Sequence, residues 1–278
     1  MSVSIVTDSA AALPRDLAEQ AGVTVVPMWL TVQGEPEPEG RRSLEELVVE
    51  DHVQTSAPTP GEFETVVKDR LRASDGVLVL TIASTMSATH DAANVAAHAV
   101  GGPVRVVDTK TAGGAEALVV LAAAEAARAG AGLDAVEARA RSVIERVRLV
   151  ATIPTLDHLV RSGRVPGIAG WAGRRLGINP LFEFRDGKVR RLRPALSPEA
   201  ALDRLVGFVE RSRVAGAQLR VAALHALAVD TAQELLERVS AIETPATSFV
   251  GEFGPVMVVH TGPGLAGLAW YWDAAVSG

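Results

Sequence analysis

Gly76-Val77-Leu78-Val79-Leu80-Thr81-Ile82 runs directly into Ala83-Ser84-Thr85-Met86-Ser87-Ala88-Thr89, and the reading of this stretch decides the fold. Its first half is an unbroken β-branched and leucine run without polar alternation. That is the pattern of a strand covered on both faces, as in the middle of a parallel sheet. The second half gathers small hydroxylic side chains, and a helical pattern opens near Asp91 and Asn94. A buried strand that ends in hydroxyls and leads into a helix is where open α/β sheets hold their ligands.

Working outward, Val3 to Thr7 is a second short apolar run, ending in Asp8-Ser9, with Pro14 suited to the first turn of a helix that stops at Gly22. Val23 to Val32 is expected as one strand, with Pro27 bending it or placing it at a sheet edge, and Gln33 to Gly40 as a polar surface loop. Ser43 with Glu46, and Thr59 with Glu62, form capping boxes, the second with Pro60 at the first helical position. Capping accounts for Thr59 but leaves Thr55 and Ser56 unexplained. Val104 to Val107 reads as a strand ending at Asp108, followed by Ala-rich helices over Gly113 to Ala129 and Leu133 to Val150. Strand and helix alternate with polar residues at successive strand ends, which predicts a parallel α/β sheet.

The second half changes character. Asp186-Gly187 between Leu181–Phe184 and Val189–Leu192 is a hairpin signal. A helix is expected over Pro198 to Arg213, a strand over Leu219 to Leu224, and a further helix from Asp230 to Ile242. Thr247–Val250, Val256–Val259 and Leu268–Trp272 read as strands. Hairpins and helices beside several strands suggest an α+β domain with a mainly antiparallel sheet. The division is placed near 148, giving residues 1–148 and 149–278.

The formal net charge of −6 argues against general nucleic-acid or anionic-membrane binding. The absence of cysteine excludes disulfides, thiolate metal sites and cysteine nucleophiles. No signal peptide is expected, since Met1-Ser2-Val3-Ser4-Ile5-Val6 lacks a basic region followed by a long apolar core. No run approaches the roughly 18 apolar residues of a membrane span. The expectation is a cytoplasmic globular protein.

Four polar segments stand out: Asp8-Ser9, Thr55-Ser56, Ser84 to Thr89, and His260-Thr261-Gly262-Pro263-Gly264. Each has a plain structural alternative. Ser87 or Thr89 caps a helix; Asp8-Ser9 is a turn; His260, like His225, is a satisfied core histidine; Gly262-Pro263-Gly264 is a tight turn. The combination is more specific than its parts. Thr7-Asp8-Ser9, Thr55-Ser56-x-Pro58-Thr59-Pro60-Gly61-Glu62-Phe63, Ser84-x-x-Ser87-x-Thr89 and the terminal Gly254-Pro255-Val256 with His260-Thr261-Gly262-Pro263-Gly264 together resemble the DegV family of fatty-acid-binding proteins. Leu156-Asp157-His158-Leu159-Val160-Arg161-Ser162-Gly163-Arg164 belongs to the same pattern, so the resemblance covers nearly the whole chain. The family includes the lipid-binding subunit of bacterial fatty acid kinase.

The resemblance implies a Rossmann-like domain followed by a domain with a six-stranded antiparallel sheet, with the ligand between them. It implies that the hydroxyls of Thr55 and Ser87 hold a fatty-acid carboxylate and that His260 completes the head-group site. Ser56, Thr89, Thr261, Asp8 and Ser9 are the possible neighbours. A buried carboxylate must be hydrogen-bonded, and donors to an ionised acceptor contribute roughly 1.5–3 kcal/mol each. About fifteen buried methylenes at roughly 0.8 kcal/mol each give on the order of 12 kcal/mol gross, less ordering costs. The tail thus sets strength and the head group sets orientation. Met28, Trp29, Met86 and Trp171 lie near the motifs and are candidates for the lining, or ordinary core. No cofactor is implied beyond the bound long-chain fatty acid. The family's kinase systems use a separate kinase subunit, and Arg161, Arg164, Arg174 and Arg175 form either a phosphate- or partner-facing group or a solvated basic surface. The chain departs from the family at Ala88, where glycine is frequent, at Gly113, Ala115 and Ala117, and at Asn179 before Pro180.

The role implied is binding rather than catalysis. The alternative is a serine esterase or acyltransferase with Ser87 as nucleophile, His260 as base and Asp8 as orienting acid, although no GxSxG elbow surrounds Ser87. Nucleotide binding is weaker still, because neither a GxGxxG nor a phosphate-binding loop is present.

Overall fold

A computed structural model describes residues 2–48, 50, 52–165 and 178–274. The chain opens with β1 (Val3–Asp8), a single 3₁₀ turn (Ser9–Ala11), α1 (Arg15–Ala21) and β2 (Val23–Val26). Then come β3 (Trp29–Val32), β4 (Glu35–Pro38), α2 (Leu44–Leu47) and β5 (Gln54–Ser56). Next are α3 (Pro60–Ala73), β6 (Gly76–Thr81), α4 (Thr89–Val100) and β7 (Val104–Asp108). Two helices, α5 (Gly113–Arg128) and α6 (Leu133–Ile144), precede β8 (Arg148–Thr152) and α7 (Asp157–Ser162). The remainder is β9 (Asn179–Arg185), β10 (Lys188–Ala195), α8 (Pro198–Arg211) and β11 (Ala217–His225), then α9 (Val229–Ile242), β12 (Thr247–Glu252), α10 (Pro255–Thr261) and β13 (Ala266–Ala274).

The fold is α/β. A parallel sheet in the order β2-β1-β6-β7 forms the N-terminal part, with β6 central and every residue of it buried. Val6 pairs with Thr24 on one side and Val79 on the other, and Val79 pairs with Val106. The side chains of β6 divide by parity. Val77 and Val79 join Phe63 and Val67 of α3 and Ala93 and Ala96 of α4, while Leu78 and Leu80 face the opposite layer. Burying each such side chain contributes about 1.5–3 kcal/mol, which is why the run carries no polar alternation.

The C-terminal part is a six-stranded sheet in the order β10-β9-β8-β13-β11-β12. All its pairings are antiparallel except β11 with β12, which run parallel and are connected by α9. One face packs on α8 and α9 through Leu205, Leu235 and Trp270. The other shares one continuous core with the parallel sheet, and α5 lies in that shared layer, buried from Gly113 to Val120. The approach is close at its N-terminus. A Cβ on Gly113, whose φ is +58°, would meet the Phe253 ring at 2.5 Å, and one on Gly114 would meet Leu224 at 2.7 Å. Among the described residues no helix is long and apolar enough to cross a membrane.

Four expectations are corrected. Val23 to Val32 is two strands, and Gln33 to Gly40 is not a loop: β3 and β4 form a hairpin over Gln33 and Gly34 at φ +52° and +88°, and β5 completes a small antiparallel sheet in the order β4-β3-β5. The Glu-Pro-Glu-Pro of β4 hides the hairpin, because prolines lack the donors of an ordinary strand and sit here at a sheet edge. The helix read from Leu133 to Val150 ends at Ile144, and Arg148 onward is a strand held between β13 and β9. Val256 to Val259 is helical, not extended. There, Pro255 at the first helical position and tertiary contacts override the strand preference of Val-Met-Val-Val.

Candidate functional site

The loop between β6 and α4, Ile82 to Ala88, is fastened on several sides. The fully buried Asp8 carboxylate, at the end of β1, accepts from Ala10 N at 3.0 Å and from Ile82 N at 2.9 Å. Burial raises the Asp8 carboxyl to about 7, against the opposing pull of these two amides. Ala83 N donates to Thr111 O at 2.8 Å, and Thr85 Oγ1 donates to Gly187 O at 2.7 Å. Arg164 Nη1 donates to Met86 O at 2.7 Å. So held, the loop turns Ser87 toward a cavity. Ser87 Oγ lies 2.8 Å from Thr89 Oγ1 and accepts from Thr89 N at 3.3 Å. The serine thus touches the first amide of α4, but the N-cap position is Ala88 and carries no side-chain cap, so Ser87 is not the helix cap its plain reading expected.

Thr55 reaches the same cavity from β5, where it pairs with Leu30. Its Oγ1 lies 2.8 Å from Nε2 of His260, 205 residues away, on the last turn of α10. Burial first, and then the Arg164 charge, push the His260 imidazole down to about 4. It is neutral at pH 7 and can donate from one ring nitrogen. Gly262 ends α10 at φ +79° and ψ 165°, and a Cβ there would meet the His158 ring of α7 at 2.5 Å. His158 is itself lowered by burial and by Arg161. Both glycines of the terminal motif serve close approach, Gly264 against Pro154.

The cavity, of about 150 Å³, has Thr55, Ser56, Ser87, His260, Thr261 and Arg164 among its polar lining and Met28, Ile82, Met86, Leu159, Val256 and Met257 among its apolar lining. Thr55, His260 and Arg164 also border an open hollow of about 680 Å³ that carries His52, His158 and Arg161. The Thr55–His260 pair thus borders both an apolar chamber and a wider vestibule. A chamber lined by both hydrogen-bonding and apolar side chains suits an amphiphile with one acceptor-rich end.

Beyond Thr55, Ser87, His260 and Arg164, the expected residues Ser56, Thr261, Met28 and Met86 also line the chamber, and the others fall elsewhere. Thr89 is buried behind Ser87, and Thr261 Oγ1 bonds back to Met257 O at 3.1 Å. Ser9 Oγ accepts from Met28 N at 2.9 Å and donates to Glu39. Trp29 donates to Glu62 Oε1 at 2.6 Å rather than lining the chamber. Trp171, Arg174 and Arg175 lie outside the described residues. The three groups of the esterase alternative each bond elsewhere: Ser87 to Thr89, His260 to Thr55, and Asp8 to backbone amides. Among the described residues no group of His, Asp and Glu is arranged to hold a metal ion. Sequence reasoning missed Met257, which lines the chamber from a helix read as a strand and so had no periodic signal pointing inward.

A family model described as an uncharacterised protein of the DegV family matches residues 2–273. A DegV domain-containing protein of Mycobacterium tuberculosis is 34% identical over 273 residues, 96% of this chain and 96% of that one. A fatty acid-binding protein of Thermotoga maritima is 27% identical over 281 residues, again 96% of each chain. The solved structure of a fatty-acid-binding DegV family protein from Thermus thermophilus superposes with a TM-score of 0.92 at 29% identity, covering 98% of this chain and 100% of that one.

Proposed function

The chain belongs to the DegV family, and from that premise we propose that it binds a long-chain fatty acid and presents the carboxylate to a separate kinase. On this reading the protein divides into residues 1–148 and 149–278, with the ligand between them. Thr55 and Ser87 donate to the carboxylate, and neutral His260 completes the head-group site. The observation that carries the reading is the Thr55–His260 hydrogen bond of 2.8 Å in a chamber that Ser87 also lines, together with Met28, Ile82, Met86, Leu159, Val256 and Met257. With His260 Nε2–H donating to Thr55 Oγ1, the threonine proton is free for the ligand. Fatty-acid binding by the T. thermophilus and T. maritima relatives supports the ligand class.

The chemistry asked of the partner is transfer of the ATP γ-phosphoryl to a carboxylate oxygen, giving an acyl phosphate and ADP. This chain's part is to hold that oxygen still and keep it accessible. The vestibule with Arg161 and Arg164 supports a phosphate- or partner-facing role for that side of the pair.

Mass spectrometry of an organic-solvent extract of the purified protein should find a long-chain fatty acid, or the delipidated protein should take one up. Thr55→Val and Ser87→Ala should each weaken oleate by about 10- to 100-fold, the loss of one charge-assisted hydrogen bond. Methyl oleate should change little. A protein that neither carries nor accepts fatty acid would refute the reading, and equal losses for acid and ester would remove these hydroxyls from the head-group site.

A further inference from the structure

Met28, Ser9, Glu39 and α10 form a closed set of hydrogen bonds beside the chamber. Met28 N donates to Ser9 Oγ at 2.9 Å, Ser9 Oγ donates to Glu39 Oε2, and Glu39 N donates to Met28 O at 2.8 Å. The other carboxylate oxygen, Oε1, accepts from Val256 N at 2.8 Å, across 217 residues of chain. Val256 is in the first turn of α10, whose own N-cap is Gly254 and offers no side-chain acceptor. A Cβ on Gly254 would overlap the Glu39 carboxylate. Glu39 therefore caps α10 from outside, in a place that only glycine leaves open.

The helix so held supplies Val256, Met257, His260 and Thr261 to the chamber wall. Seven residues span about 10 Å, and the small sheet grips both ends: Glu39, just after β4, at the N-terminus, and Thr55, in β5, at His260. So short a helix has little stability of its own, and its direction is set by what binds its ends.

We propose that Glu39 is a positioning residue of the head-group site: by capping α10 across the chain it sets the Thr55–His260 pair against the ligand. The role takes its ligand from the fatty-acid reading, while its geometry stands without it. Removing the cap lets α10 pivot or fray, and His260 leaves Thr55. Glu39→Gln preserves an acceptor for Val256 N and an amide donor for Ser9, so it should behave as the native protein.

The test compares Glu39→Ala, Glu39→Gln and Gly254→Ala, the last displacing the carboxylate without changing it. Two readouts are taken: affinity for oleate and oleyl alcohol, and the ring-nitrogen NMR titration of His260 in delipidated protein. Glu39→Ala and Gly254→Ala should weaken oleate about five- to tenfold, the loss of one cap, with oleyl alcohol changed less than about twofold. In both, His260 should titrate closer to an ordinary imidazole, and Glu39→Gln should restore it. An unmoved His260 titration in both disrupted variants overturns the proposal, even if all ligands bind more weakly, because that is a general loss of stability. If the native protein takes up no oleate, the fatty-acid reading falls, and the His260 titration still decides the role of Glu39. Should Glu39→Ala fail to fold, Gly254→Ala and Glu39→Asp, whose shorter arm falls away from Val256, carry the same comparison.

Discussion

Asp8 is an acid buried where charge is costly. Its carboxyl ordinarily titrates at 3.8 and is raised to about 7 by full burial. A raised folded-state value favours folding below 3.8, and that advantage is lost as pH climbs to about 7. His260 acts in the opposite sense. It is lowered from 6.5 to about 4, so its contribution is present above 6.5 and is lost as pH falls toward 4. The two trends oppose each other in the native stability curve, and a variant has to separate them. Relative to the native protein, Asp8→Asn should become steadily more favourable from pH 4 to pH 7, by on the order of 4 kcal/mol at most. Denaturant melts at several pH values measure the difference. A difference that stays flat with pH would mean that the Asp8 proton is not held by burial. Because Asp8 also fastens Ile82 N, the variant tests whether the loop carrying Ser87 needs an acceptor there or a charge.

At the scale of elements, α10 decides most. It is short and β-branched, and capped by a residue distant in sequence, yet it brings His260 to Thr55. Its end depends on Gly262, which occupies a backbone region that is essentially glycine-only and lies under the His158 ring. Gly262→Ala should cost about 1–3 kcal/mol from the backbone alone, with more from the overlap with His158. A thermal melt should show a drop of several degrees, since each kcal/mol shifts Tm by about 2–4 °C in a chain this size. Oleate affinity should fall with it. An unchanged Tm would show that α7 yields and that the contact is not tight.

Across the whole molecule, the two sheets share a core. Leu78 and Leu80 of β6, Ala115 and Leu118 of α5, and Leu224 and Tyr271 of the six-stranded sheet belong to one cluster. A division of the chain near residue 148 places strands on either side of it but cuts through that shared layer. Calorimetry should therefore record a single transition, with Gly114→Ala lowering it as a unit, because its Cβ would press on Leu224 and Ala222. Two separated transitions would mean that the halves hold their own cores and α5 belongs to one alone.

Much of this was legible in the residues. The Gly76–Thr81 run announced a strand covered on both sides, since Val77-Leu78-Val79-Leu80 places apolar side chains on both faces in succession without alternation. Capping boxes at Ser43 and Thr59 and the Asp186-Gly187 hairpin are local chemistry and formed as read. The terminal glycine motif and the hydroxyl loop marked the segments that meet, and the family followed from their combination. What the chain could not state locally was decided by contact. Val256 to Val259 became a helix because Glu39, Gly254 and Pro255 satisfy and free its first turn. Arg148 to Thr152 became a strand because β13 and β9 offer hydrogen bonds on both sides. Secondary-structure propensities amount to about 1 kcal/mol or less per residue, and partners distant in sequence outweigh them. The sequence by itself determined the strand, the loop and the family. Only the tertiary structure brought Thr55 and His260 within 2.8 Å and put Glu39 behind them.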